Sequence, residues 1–145
     1  SGLDVTLQAE ILQRIRELVK EQNASVLLIT HDMGVVAAMA KKVGVIYAGN
    51  VVEDAAVVPL FRRSQHPYTY SLLQALPRMD DPEKRIEPLP GSPPDMINLP
   101  MECPFLPRCF KAQSECRSNV KPRLVETENN HFVACYNPVI PEVND

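Results

Sequence analysis

The chain has 145 residues, enough for one ordinary domain or for a partial core carrying an appendage. A hydrophobic fraction of 45% and a charged fraction of 23% describe a globular sequence, and a net charge of −3 without single-sign runs argues against nucleic acid as a partner. No apolar run nears the roughly 18 residues of a membrane-spanning helix, and nothing at the start reads as a signal peptide, so the cytoplasm is the expected compartment.

Taken in chain order, Leu7, Ile11, Ile15 and Leu18 recur at helical spacing among Glu10, Arg14, Glu17 and Lys20. Asp4 stands where an N-cap belongs, and Asn23 is a stop signal. The apolar stripe is expected to face a core. Val26-Leu27-Leu28-Ile29 is a short continuous apolar run, the pattern of a strand buried on both faces of a parallel sheet. His31-Asp32 ends it, and Met33–Lys42 reads as a second helix with lysines at its dipole-negative end. Val43–Tyr47 and Asn50–Glu53 flank Gly49 as a hairpin.

The chain then changes character. All 14 prolines follow residue 58, and all four cysteines follow residue 102. Val57–Arg63 reads as one or two helical turns, and Tyr68–Leu76 as a helix with Pro67 in its first turn and Pro77 closing it. Six prolines between Asp80 and Pro100 predict an extended, wrapping segment. From Cys103 to Cys135 periodicity is weak, so a cross-link is expected to organise the segment.

Cys103-x5-Cys109-x6-Cys116-x18-Cys135 offers four thiolates, which suit tetrahedral zinc or an iron–sulfur cluster. Zinc ribbons favour closer cysteine pairs, whereas wide intervals let the chain wrap a larger object. Four unrelated core thiols are the bland alternative. His131 stands near Cys135 and reads as a bystander to ligation. His31, at a strand end, is by itself either a ligand-facing imidazole or one bonded to backbone. His66-Pro67-Tyr68-Thr69 reads as a helix entry, with a contact to another subunit as the sharper alternative.

Three stretches together carry a family resemblance. Ser1-Gly2-Leu3-Asp4 resembles the D-loop of ABC ATPases, and Leu27-Leu28-Ile29-Thr30-His31-Asp32 resembles their switch-histidine motif. Val45-Ile46-Tyr47-Ala48-Gly49, Val52-Glu53 and His66-Pro67-Tyr68-Thr69 are similar to the oligopeptide/dipeptide/nickel transporter branch. Gly2, Ala55 and Glu102 depart from that branch's usual residues without removing a chemical group.

The resemblance implies an α/β fold: the C-terminal fragment of a RecA-like ABC ATPase core plus a small irregular Cys-rich extension. The implied parts are residues 1–58 for the nucleotide-binding remainder, 59–100 for the His-Pro-Tyr helix and Pro-rich linker, and 101–145 for the four-Cys extension. In the family, His31 would position the γ-phosphate and attacking water, while Ser1, Leu3 and Asp4 would lie at the ATPase dimer interface. Cys103, Cys109, Cys116 and Cys135 would hold a 4Fe–4S cluster, with zinc as the alternative.

The implied activity is ATP hydrolysis energising import of short peptides, with ATP and Mg used by the full-length subunit. Permease subunits and a second ATPase subunit are the implied partners, at the cytoplasmic face of the membrane. No Gly-x-x-x-x-Gly-Lys-Ser/Thr and no Gly-Gly pair occurs, so the chain alone is expected to be inactive and to self-associate through uncovered apolar faces. A stand-alone iron–sulfur or zinc interaction module without nucleotide chemistry is the reading from another class.

Overall fold

The computed structural model describes residues 5–76, 89–118 and 120–140. It divides into two units, Ser1–Lys41 and Lys42–Asp145. The four-stranded sheet belongs to the second.

In the first unit the periodic stripe forms helix α1, Val5–Glu21, with Lys20 in its last turn. Asn23 ends it in the left-handed region, at φ 48. The Asn23 N–H donates to the Lys20 carbonyl at 3.3 Å and the Ala24 N–H to that of Val19 at 3.0 Å. This pair of bonds is a Schellman cap, and asparagine tolerates the required φ better than most residues. The Asp4 cap lies outside the described residues. The stripe does not reach a core: Leu7, Ile11 and Leu18 are all exposed.

The expected strand at Val26–Ile29 is absent. Residues 24–30 have no regular structure, and Leu27 and Ile29 are 88% and 89% exposed. A strand exists through hydrogen bonds to its neighbours, and no strand among the described residues of this unit offers them. Helix α2 is also shorter than expected, running Met33–Met39 and burying Val35 and Val36. Its lysines fall outside it, because Ala40 turns extended and Lys42 already begins a strand. Arg16 takes over the electrostatic role, donating from its guanidinium to the Ala38 carbonyl.

In the second unit, β1 (Lys42–Tyr47) and β2 (Asn50–Ala56) form the expected hairpin. Ala48 at φ 46 and Gly49 at φ 74 make a two-residue turn with both centres left-handed, which matches the strand twist and explains the glycine. The register slips between Val45 and Ile46, since Val45 pairs with Glu53 but Ile46 pairs with Val51. That bulge breaks the alternation on β2, so Val52 and Glu53, consecutive in sequence, are both buried.

Helices α3 (Val57–Arg62) and α4 (Pro67–Gln74) follow, with Pro67 in the first turn as expected. Residues 77–88, including Pro77 and part of the Pro-rich segment, lie outside the described residues. Leu89 and Pro90 are tied by their carbonyls to the Arg108 guanidinium, at 3.4 Å and 2.9 Å.

Two further strands, β3 (Val125–Glu128) and β4 (His131–Val133), were not foreseen from the residue pattern. They form an antiparallel hairpin turning at Asn130, φ 54, and β4 pairs with β2 to complete the order β1-β2-β4-β3. The architecture is therefore a small α/β arrangement on an antiparallel sheet. Its core joins Val45, Tyr47, Val52, Ala55, Leu60 and Phe105. Tyr47 and Phe105 meet edge to face at 5.2 Å between centroids, and Tyr68 closes on Tyr47 at 4.6 Å. No helix of the described residues is long and apolar enough to cross a membrane.

Candidate functional site

The first candidate, His31, is exposed and stands between the unstructured apolar run and α2. The turn around it is defined. Asp32 donates its N–H to Thr30 Oγ1 at 3.0 Å, and its Oδ1 accepts from the N–H groups of Gly34 at 2.9 Å and Val35 at 3.1 Å. The Val35 bond foremost, then the Gln8 side-chain amide at 3.4 Å and the Gly34 bond, hold the Asp32 carboxyl below the usual aspartate range. The carboxylate caps the helix, and the imidazole before it is left facing solvent. Ser1, Leu3 and Asp4 lie outside the described residues.

The second candidate lies within the second unit. Cys103, Cys109, Cys116 and Cys135 line one small pocket, open in part to solvent. Local turns place them. Two belong to the 3-10 turn at Leu106–Arg108: the Leu106 N–H donates to the Cys103 carbonyl at 3.0 Å, and Cys109 ends the turn with its N–H on the Leu106 carbonyl at 3.2 Å. Cys116 sits buried in the 3-10 turn Ser114–Arg117. Cys135 follows β4 after Ala134, and its Sγ accepts from the Asn137 N–H at 3.4 Å.

All four cysteines are free thiols. Burial pushes the Cys103 and Cys109 thiols up, with repulsion from the neighbouring cysteines adding to it. Cys135 is pushed up to about 12, chiefly by burial and then by Cys109, Cys103 and Cys116. Without a cation these groups are thiols, and a bound metal would reverse the balance and favour thiolates. They share one wall without converging: among the described residues no three His, Cys, Asp or Glu side chains come close enough to hold a metal ion.

A buried polar hub next to this cavity was not legible in the sequence. Glu53 is fully buried in β2. Its Oε1 accepts from the Gln65 N–H at 2.7 Å and lies 2.7 Å from His131 Nε2; its Oε2 accepts from the His66 N–H at 3.0 Å. One carboxylate thus joins β2, β4 and the entry to α4. His131 is committed to Glu53 by Nε2, and its Nδ1 has no partner among the described residues. The one available signal was the Val52-Glu53 pair of the family resemblance.

His66 caps α4, its Nδ1 accepting from the Tyr68 N–H at 3.1 Å. Its ring is buried, packs 5.9 Å from Phe105 and lines the cysteine cavity. Burial lowers its pKa to about 4. The imidazole is therefore neutral near pH 7.

Residues 52–116 match the family described as the oligopeptide/dipeptide transporter, C-terminal region. That span contains Glu53, His66 and three of the four cysteines. The chain is 38% identical to the oligopeptide transport ATP-binding protein OppD of Haemophilus influenzae, across 94% of this chain and 42% of that protein. It is 43% identical to the oligopeptide transport ATP-binding protein AppD of Bacillus subtilis, across 94% and 41%. To the dipeptide transport ATP-binding protein DppD of Bacillus subtilis it is 40% identical, across 94% and 40%. The chain spans about two fifths of the length of these relatives.

Proposed function

We propose, from a chain that belongs by its residues 52–116 to the oligopeptide/dipeptide transporter C-terminal-region family, that it is part of the ATP-binding subunit of a peptide importer. Residues 1–58 would then be the last portion of a RecA-like nucleotide-binding domain. Residues 59–100 would be its helix and linker, and residues 101–145 a Cys-rich extension. Transmembrane permease subunits and a second ATPase subunit are the partners this role requires, at the cytoplasmic face of the membrane.

The observation that carries the nucleotide role is His31, exposed on a turn pinned by Asp32 directly before a helix. An imidazole so placed is available to hydrogen-bond a terminal phosphate and help orient the attacking water. ATP and its Mg would be gripped by residues outside these 145, which contain no phosphate-binding glycine loop. On its own the chain is expected to turn over no ATP. Ser1, Leu3 and Asp4 are assigned to the interface between two ATPase subunits. The test is His31→Ala in the full-length subunit within its transporter. ATP turnover is expected to fall on the order of 10²-fold with nucleotide binding retained; near-wild-type turnover would refute the role.

We assign the four-cysteine cavity to a 4Fe–4S cluster, with zinc as the alternative. What supports this reading is that four free thiols line one wall, of which Cys103, Cys109 and Cys135 are raised by burial; a cationic group would deprotonate such thiols and draw them together. When bound, such a cluster would supply a cross-link to a segment rich in proline and turns. Cys103, Cys109, Cys116 and Cys135 would hold it.

A second reading, a stand-alone iron–sulfur or zinc module, draws on one observation: the second unit has its own core around Leu60 and Phe105. A glycine-rich phosphate-binding motif encoded in frame ahead of Ser1 decides against it.

A further inference from the structure

We propose that residues 135–139 form a latched strap that limits access to the cysteine pocket, and that release of its latch, Lys111 with Asn137, admits small solutes to the thiols.

The strap begins where the sheet ends. Beyond β4 the Ala134 N–H still donates to the Val52 carbonyl at 2.9 Å. Pro138 has no N–H to continue a ladder and biases Asn137 toward extended backbone, so the chain leaves the sheet without coiling. The Val139 N–H then donates to the Gln65 carbonyl at 2.7 Å. Gln65 is itself buried, and its own N–H is held by Glu53 Oε1 at 2.7 Å. Both ends are therefore anchored by backbone bonds beside the Glu53 hub.

Between the anchors the strap is gripped by side chains. Lys111 Nζ donates to the Pro138 carbonyl at 2.8 Å, and Asn137 Nδ2 donates to the Lys111 carbonyl at 3.0 Å. The two residues thus clasp each other's segment in both directions. Gln113 Nε2 adds a longer bond to the Tyr136 carbonyl, at 3.5 Å.

This clasp coincides with the pocket. His66 and Pro67 line it from the entry to α4, and Cys103, Cys109 and Cys116 line it from the 3-10 turns and their ends. The strap contributes Cys135 and Tyr136, and Lys111 is a lining residue too. Gln65 adjoins His66, and Lys111 follows Cys109 closely, so the strap ties one wall to the other.

The strap is also the cheaper part to move. Tyr136 is 40% exposed, whereas Leu60, Phe105 and Val133 of the interior are buried almost completely. A segment with few buried apolar groups, held by side-chain bonds near solvent, opens at lower cost than the core unfolds. The strap's bonds all lie within the chain, so its opening stands apart from what the thiols bind.

The experiment uses the full-length subunit that carries this chain, freed of metal by a chelator and exposed to iodoacetamide, with alkylation read cysteine by cysteine by mass spectrometry. Lys111→Met keeps the stem and removes the bond to Pro138; Asn137→Ala removes the return bond and leaves the lysine charge in place. Each should speed alkylation of Cys109 and Cys135 about tenfold, the effect of losing a hydrogen bond that involves a charged group or its clasp. Loss of the Lys111 charge by itself would favour the neutral thiol at Cys109 and slow its alkylation, so a faster rate reads access. The faster rates should be insensitive to urea below the unfolding transition, because strap opening exposes little surface.

Wild-type rates in both folded variants overturn the latch. Rates that climb steeply with urea overturn it as well, since they report unfolding of the whole unit and a merely structural role for the two residues. Should neither variant fold, the wild type decides: Cys109 and Cys135 alkylated as fast as in urea-unfolded protein would show that nothing is gated.

Discussion

Glu53 accepts two backbone N–H groups and one imidazole N–H inside the core, with no exposed surface of its own. Each of those donors has given up water, so removing the acceptor leaves three buried groups unpaired. Glu53→Ala is expected to destabilise the second unit by about 3–5 kcal/mol. Glu53→Gln, which retains one acceptor oxygen, should lose less. Urea unfolding followed by tyrosine fluorescence measures both; an alanine variant as stable as wild type would remove the hub from the account. The sequence made Glu53 visible only as a residue resembling a family's Val-Glu pair. Its partners lie 12, 13 and 78 positions away, and no local pattern encodes such contacts. His131 is the mirror case. It was singled out only for standing near Cys135, and its bond to Glu53 came only with the fold.

Among elements, α2 is the one whose boundary is set by a single carboxylate. Its seven residues are too few to be helical unaided, and Asp32 satisfies two of its otherwise orphaned N–H groups. The folded pKa lies below the ordinary value of 3.8, so the ionised cap stabilises the folded form. That contribution is complete above 3.8 and is lost as pH falls through the lowered value. The Gly34 and Val35 amide proton shifts should titrate together in that window. In Asp32→Asn, whose amide oxygen still caps, both should be flat. A wild-type titration at or above 3.8 contradicts the assignment.

The elements that sequence reading placed well are those with local causes. The Ala48-Gly49 turn, the Asn23 stop and the Pro67 start each depend on the φ preferences of one or two residues. The element it misplaced, Val26–Ile29, depends on neighbours. Its run of branched apolar residues describes what a strand would bury and not whether partners are present. Strands β3 and β4 failed in the opposite direction. They are too short to show periodicity, with β3 wholly exposed, and they form because β2 has an edge to pair with.

On the scale of the whole chain, the first unit exposes Leu27, Ile29 and the α1 stripe of Leu7, Ile11 and Leu18. Apolar surface of that kind is covered by another surface when one is available. The 145-residue chain is therefore expected to self-associate at micromolar concentration, as read by sedimentation velocity. Replacing Leu27 and Ile29 by lysine should shift it toward monomer. A monodisperse wild-type monomer would show that the exposed run is tolerated as it stands.

The second unit has a different logic. It closes its own core, and it brings cysteines spread from 103 to 135 onto one cavity wall together with a histidine from position 66. The amino-acid order by itself determined the helices, the hairpin turn, the four candidate thiols and the match of residues 52–116 to a transporter family, because these follow from local propensity and from motif spacing. Only the tertiary structure decided that Glu53 would bind three donors, that His66 would stand beside the thiols, and that residues 24–30 would remain without a sheet. Those outcomes turn on which distant groups share a desolvated space, and burial, unlike propensity, is a property of the assembled molecule.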